Sequence, residues 1–148
     1  MKKAIIISIV FIFCMAFSTA GWAADPSVTG VWSLPILKGK DKGKERSQVE
    51  IFEKDGTFYG KIVKLAPGTP ADALCTTCKK ERKDKPLMGM LVVWDMKKEA
   101  GRYTEGKIYD VDEGKDYKSS MALMSPDKLK ITACLLFICE SHYWTRVK

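Results

Sequence analysis

Two close cysteine pairs, Cys75-x-x-Cys78 and Cys134-x-x-x-x-Cys139, and the single histidine, His142, are the side chains of this sequence most able to do chemistry. Paired thiols can close as structural disulfides, cycle as a redox couple or hold zinc. A redox Cys-x-x-Cys needs its first thiol at a helix N-terminus to lower the pKa, whereas Cys75 falls in a proline-flanked stretch with no helical pattern. A four-thiolate zinc centre has usable spacing at Cys75 and Cys78 and a poorer one at Cys134 and Cys139, and oxidation competes with metal outside the cytoplasm. Covalent haem attachment needs histidine directly after the second cysteine, where Lys79 stands. Disulfides are therefore expected, and four cysteines allow three pairings. Pairing Cys75 with Cys78 and Cys134 with Cys139 closes the shortest loops and is preferred. The crossed pairings, which would fasten a long loop more stably, remain open.

Other reactive arrangements are scarce. His142 sits beside Tyr143 in the last extended stretch and reads as a polar residue at a sheet edge more readily than as a general base. Asp110, Asp112 and Glu113 lie in a turn, where Asx-type hydrogen bonding accounts for them. No Ser-x-x-Lys, no Gly-x-Ser-x-Gly elbow and no glycine-rich phosphate loop occurs. No catalytic residue, metal or cofactor is expected, and the chain does not read as an enzyme.

The elements that must position these residues repeat with period two. In Lys128-Leu129-Lys130-Ile131-Thr132-Ala133, the residues Leu129, Ile131, Ala133 and then Leu135 face a core while the lysines face water, as in a half-buried strand. Turn signals at Asp55-Gly56, at residues 110–114 and at Ser125-Pro126-Asp127 divide such stretches into hairpins. The pattern predicts eight strands, over residues 30–34, 48–53, 57–65, 87–94, 102–109, 116–124, 128–135 and 142–147, and no amphipathic helix. Many short antiparallel strands in a small chain imply an all-β barrel or sandwich, because an open sheet would leave a face and two edges bare. Residues 38–47 and 66–86 read as loops, and the length of the second implies a function or a cross-link.

Residues 1–23 read as a cleaved export signal. Lys2 and Lys3 precede an apolar run over residues 4–17, shorter than the roughly 20 residues of a membrane span, and Gly21-Trp22-Ala23 offers small side chains before a cut after Ala23. Cys14 lies inside the apolar run without the small residues of a lipoprotein signal. The remaining residues 24–148 are expected to form one domain, periplasmic or secreted, with no stable membrane insertion after cleavage. Loss of Lys2 and Lys3 takes the formal charge from +7 to +5, and the lysines are interspersed with acids, so nucleic acid is not an expected partner.

Aromatic residues carry the remaining signal. If first and last strands meet, Arg146 can lie over the indole of Trp32 as a structural clasp. Tyr59, Trp94, Tyr109 and Tyr117 lie on predicted strands and are candidates to line a ligand cavity, as eight-stranded barrels can hold one small molecule.

Gly30-Val31-Trp32, Asp55-Gly56-Thr57-Phe58-Tyr59-Gly60-Lys61-Ile62-Val63, Lys85-Pro86-Leu87-Met88-Gly89-Met90, Glu105-Gly106-Lys107-Ile108-Tyr109-Asp110, Gly114-Lys115-Asp116-Tyr117 and Tyr143-Trp144-Thr145-Arg146-Val147 follow in the order and spacing of a known set. Together they resemble the exported bacterial family called domain of unknown function 2147. Val111 departs from a common proline and Ala133 from a frequent glycine. The resemblance implies a lipocalin-like (calycin) up-and-down barrel of eight antiparallel strands, with Trp32 and Arg146 matching the Gly-x-Trp opening and the last-strand arginine of that superfamily. It implies no activity. The expected function is the binding of a small apolar ligand inside the barrel. The alternatives are an envelope protein-interaction or structural module with a side-chain-filled barrel, and a redox protein using Cys75 and Cys78.

Overall fold

The computed structural model describes residues 26–148; the predicted export signal over residues 1–23, with its cut after Ala23, lies outside the described residues. Eight strands run β1 Gly30–Pro35, β2 Glu45–Lys54, β3 Thr57–Lys64, β4 Leu91–Glu99, β5 Arg102–Asp110, β6 Lys115–Ser125, β7 Lys128–Leu135 and β8 Ile138–Arg146. Each pairs antiparallel with the next, and β8 returns to β1 through Trp32 opposite Arg146 and Ser33 opposite Thr145, closing the barrel. Closure leaves no unpaired edge along the sheet. The helical content among the described residues is one 3₁₀ turn, Lys80–Arg82.

The alternation that builds the ring is plain on β2 and β3, where Ser47, Val49 and Ile51 and then Phe58, Gly60 and Ile62 are buried between less buried neighbours. Glycine at two inward positions makes room for large neighbours. A Cβ on Gly60 would sit 3.0 Å from Val49 and Val93, and one on Gly106 would sit 2.5 Å from the Met96 sulfur.

Two predicted strands need correction. The stretch 87–94 pairs as β4 only from Leu91 to Glu99. Residues 87–90 cross to β3 by irregular bonds, Gly89 N–H to the Ile62 carbonyl at 2.8 Å and Ile62 N–H to the Met90 carbonyl at 3.0 Å. Asp95, at φ 59°, then breaks the period, and Lys97, Lys98 and Glu99 run on to a two-residue turn at Ala100 and Gly101, both with positive φ. The last strand starts at Ile138, not at His142, because β7 and β8 are joined by the two residues Leu136 and Phe137, which carry no turn signature. The loop expected over 38–47 is correspondingly shorter, since β2 already begins at Glu45.

The connections sort by end. Hairpins β2–β3, β4–β5 and β6–β7 and the segment entering β1 lie at one end, and the four other connections at the opposite end. The first end is filled by Val28, Trp32, Phe58, Met96, Tyr103 and Leu129, with Phe58 edge-on to Tyr103 at 4.7 Å. The Trp32 indole N–H donates to the Val28 carbonyl at 2.7 Å, and the Arg146 guanidinium stacks over that indole at 4.2 Å.

Near the other end, Glu45 ties three strands together by accepting hydrogen bonds from Ser33 at 2.8 Å, Gln48 at 3.0 Å and Lys64 at 2.9 Å. The Lys64 bond leads in holding this carboxyl at about 2, below its ordinary 4.5. A depressed carboxylate pKa contributes stability above the unfolded value, and that contribution fades as pH falls from about 4.5 towards 2. Glu45→Gln should therefore cost on the order of 1 kcal/mol at neutral pH, after allowing for solvent screening of a partly exposed group. Denaturant melts of the two proteins should converge as the pH approaches 2; a gap that persists there would contradict the assignment.

Candidate functional site: a half-open barrel cup

Above the filled end the barrel is hollow. A cavity of about 740 Å³ opens between the β1–β2 loop, the β5–β6 turn and the β7–β8 turn, within the range of about 300–1,000 Å³ common for ligand pockets. Its walls come from inward positions of consecutive strands: Leu34 on β1, Ile108 on β5, Tyr117 on β6, Ile131 and Ala133 on β7, Trp144 on β8. The register explains the set. Ile108 lies opposite both Val93 and Tyr117, and Ile131 lies opposite His142, so each points to the same side of the sheet as its partner.

Polar groups gather towards the mouth. Arg46 meets Asp112 at 2.7 Å, and the Tyr117 hydroxyl donates to the Glu113 carboxylate. His142 Nε2 lies 3.7 Å from a Glu140 oxygen. The bond to Glu113, followed by burial, pushes the Tyr117 hydroxyl up to about 12, so it stays a proton donor at neutral pH. These groups can orient one polar end of a guest whose body lies against the aliphatic wall. They contain no serine or cysteine nucleophile next to a base. Among the described residues no three His, Cys, Asp or Glu side chains gather to hold a metal ion.

Of the four aromatic candidates, Tyr117 lines the cup. Tyr109 borders it, but its hydroxyl accepts the Lys79 N–H at 3.1 Å and its ring carries the Arg82 guanidinium at 4.6 Å. Tyr59 and Trp94 do not face the cup. Tyr59 falls between inward Phe58 and Gly60 and stacks on Phe52 across β2 and β3 at 5.8 Å, on the outer face. Trp94 follows inward Val93 and lies under Arg82 at 4.7 Å. Trp144, Arg46, Glu140 and His142 join the site although sequence reasoning did not select them for it. The period of β7, Leu129, Ile131, Ala133, continues through the Leu136-Phe137 turn into Glu140, His142 and Trp144 on β8; Arg46, on β2, stands outside that pattern.

Both cysteine pairs lie at the cup end of the barrel, one within the β3–β4 connection and one across the β7–β8 hairpin. Cys75 is bonded to Cys78 and Cys134 to Cys139, the local pairing. Cys75 and Cys78 are 2% and 3% exposed, buried within the connection over residues 65–90. The Thr77 hydroxyl of that connection donates to the Val111 carbonyl at 2.5 Å. Attack by an external thiolate requires access to a sulfur, so this burial opposes a catalytic redox cycle there.

Comparison with known proteins agrees with the architecture. The family model described as "Uncharacterized protein conserved in bacteria (DUF2147)" matches residues 30–146. A search of curated proteins finds no match. Among solved structures, protein HP1028 from Helicobacter pylori, described as belonging to the lipocalin family, superposes with a TM-score of 0.70. The alignment covers 84% of this chain and 85% of that one at 22% identity, a likeness of fold.

Proposed function

Because this chain belongs to the bacterial DUF2147 family, whose description carries no activity, we propose its function from the cup: reversible binding of a small, largely apolar molecule in the open half of the barrel. The observation that carries this reading is the division of the interior. One half is filled by the buried side chains of Trp32, Phe58, Met96 and Leu129, while the other keeps about 740 Å³ of space lined by aliphatic and aromatic side chains with polar groups among them. A purely structural barrel would gain stability by filling that half as well, since burying apolar surface and removing voids both favour the folded state. The rim groups Arg46, Tyr117, Glu140 and His142 would fix the orientation of a polar end.

We also propose that the protein works outside the cytoplasm, in the periplasm or secreted. Its two disulfides support this, because such bonds persist in oxidising compartments.

Ala133→Trp tests the binding reading directly. The side chain would project into the cup from β7, so titration with the neutral apolar dye N-phenylnaphthylamine should give saturable fluorescence with the native protein. The variant should bind on the order of tenfold more weakly or worse, with an unchanged thermal midpoint. Equal dye affinity in the two proteins, or no saturable binding in either, would contradict the proposal.

A further inference from the structure

The tip of the β7–β8 hairpin breaks two rules at once. Leu136, Phe137 and Ile138 are 87%, 99% and 75% exposed, the three most exposed large apolar side chains among the described residues, ahead of Met124 at 56% and the adjoining Leu135 at 53%. Leu136 and Phe137 also form the two-residue turn, in which Leu136 has φ 54° while Phe137 does not share the left-handed conformation. Glycine is the usual residue at such a first turn position, and a branched apolar side chain there is strained. Solvent-facing apolar groups at a strained turn cost stability and solubility, and such conflicts mark functional surfaces. The Cys134–Cys139 disulfide clamps the strands directly beneath the tip.

Charge identifies what the tip meets. Across the mouth of the cup stands the loop Lys38-Gly39-Lys40-Asp41-Lys42-Gly43-Lys44, and Lys38 lines the same cavity as Leu135 and Ile138. Asp41 is paired with Lys44 at 2.7 Å. Among the described residues Lys38, Lys40 and Lys42 enter no ion pair and are exposed. Of the acids lining the cup, Asp112 is paired with Arg46, while Glu113 accepts from the neutral Tyr117 hydroxyl, Asp110 from backbone N–H groups, and Glu140 lies 3.7 Å from His142, so the three free lysines are the cations this rim leaves uncommitted. A convex apolar point beside free lysines matches an anionic phospholipid surface, where side chains enter the interface and cations meet headgroups.

We propose that this end of the barrel docks peripherally on an anionic phospholipid bilayer, with Leu136, Phe137 and Ile138 entering the interface and Lys38, Lys40 and Lys42 contacting the headgroups. The tip is far too short to span, so the contact is superficial and reversible. It sets the mouth of the cup against the membrane, but the docking itself does not depend on the cup holding a ligand.

The test uses protein expressed from the full sequence in an exporting bacterial host and purified as that host processes it, so that all variants share one N-terminus. Flotation with vesicles of phosphatidylethanolamine and phosphatidylglycerol should carry the native protein. Vesicles of phosphatidylcholine should carry much less, and added salt should release it. Leu136→Gly with Phe137→Ser installs a favoured turn, so the barrel stays folded while vesicle binding falls by on the order of tenfold or more. Changing Lys38, Lys40 and Lys42 to glutamine should weaken binding to the anionic vesicles by about fivefold per lysine. Native protein that fails to float, or a tip variant that floats as well as the native one, overturns the proposal. So does a tip that proves to drive only self-association in sedimentation velocity, or only capture of a protein partner.

Discussion

Trp32→Ala should lower the unfolding free energy by about 3–5 kcal/mol, the usual range for removing a large aromatic side chain from a core. The indole is fully buried at the plugged end, where it packs among the inward residues that fill the barrel axis. Its N–H is satisfied within its own segment by Val28, and its face is covered by Arg146. Because β1 meets β8 over only two residue pairs, this side chain holds the shortest seam of the ring. Urea unfolding followed by tryptophan fluorescence and circular dichroism measures the loss. A change below about 1 kcal/mol would mean that the plug is not what closes the barrel.

Arg146→Leu is expected to cost about 2–4 kcal/mol, through a different route. The guanidinium donates to three carbonyls at once: Pro126 at 2.6 Å, Thr29 at 2.8 Å and Ser27 at 2.7 Å. It thereby binds the segment entering β1 and the β6–β7 turn to the end of β8. Gly30, at φ 125°, leaves the space it needs, since a Cβ there would lie 2.7 Å from an Arg146 nitrogen. Leucine keeps the apolar contact with Trp32 but leaves those carbonyls without their donor. Lysine should restore only part of the loss, because one ammonium cannot reproduce a planar fork stacked on an indole. The double variant with Trp32→Ala should be less destabilised than the sum of the two singles, as expected of residues in contact. Full additivity would show that stacking contributes nothing. Full rescue by lysine would show that the fork does not matter.

How far the sequence discloses all this depends on the strand. Period-two patterning on β2, β3 and β7 and the Asp55-Gly56 turn specify the ring almost residue by residue, because each follows ordinary hairpin chemistry. β4 lies several residues beyond the apolar run over 87–94, since a bulge at Asp95 breaks its alternation and its second half, Lys97 to Glu99, is charged. The start of β8 at Ile138 has no local signature, because Leu136 and Phe137 do not look like a turn. The unassigned residues 138–141 include Glu140 of the cup and part of the exposed tip, while His142 and Trp144 lie inside the predicted strand but show their facing only once the hairpin register is known. Tyr59 and Trp94 are legible as aromatic strand residues; the facing of Tyr59 follows from the strict alternation of β3, whereas that of Trp94 turns on an irregular strand that composition does not reveal. The hollow itself depends on the combined volumes of residues from most of the strands and has no local signature.

The measurement closest to the heart of this account is a native mass spectrum of the protein purified from its own host, set beside the same chain after unfolding and refolding. A barrel whose open half exists to hold a guest should carry a discrete added mass that refolding removes and that Ala133→Trp never acquires. A bare polypeptide mass in every preparation, with no uptake of apolar compounds by the refolded chain, would contradict it.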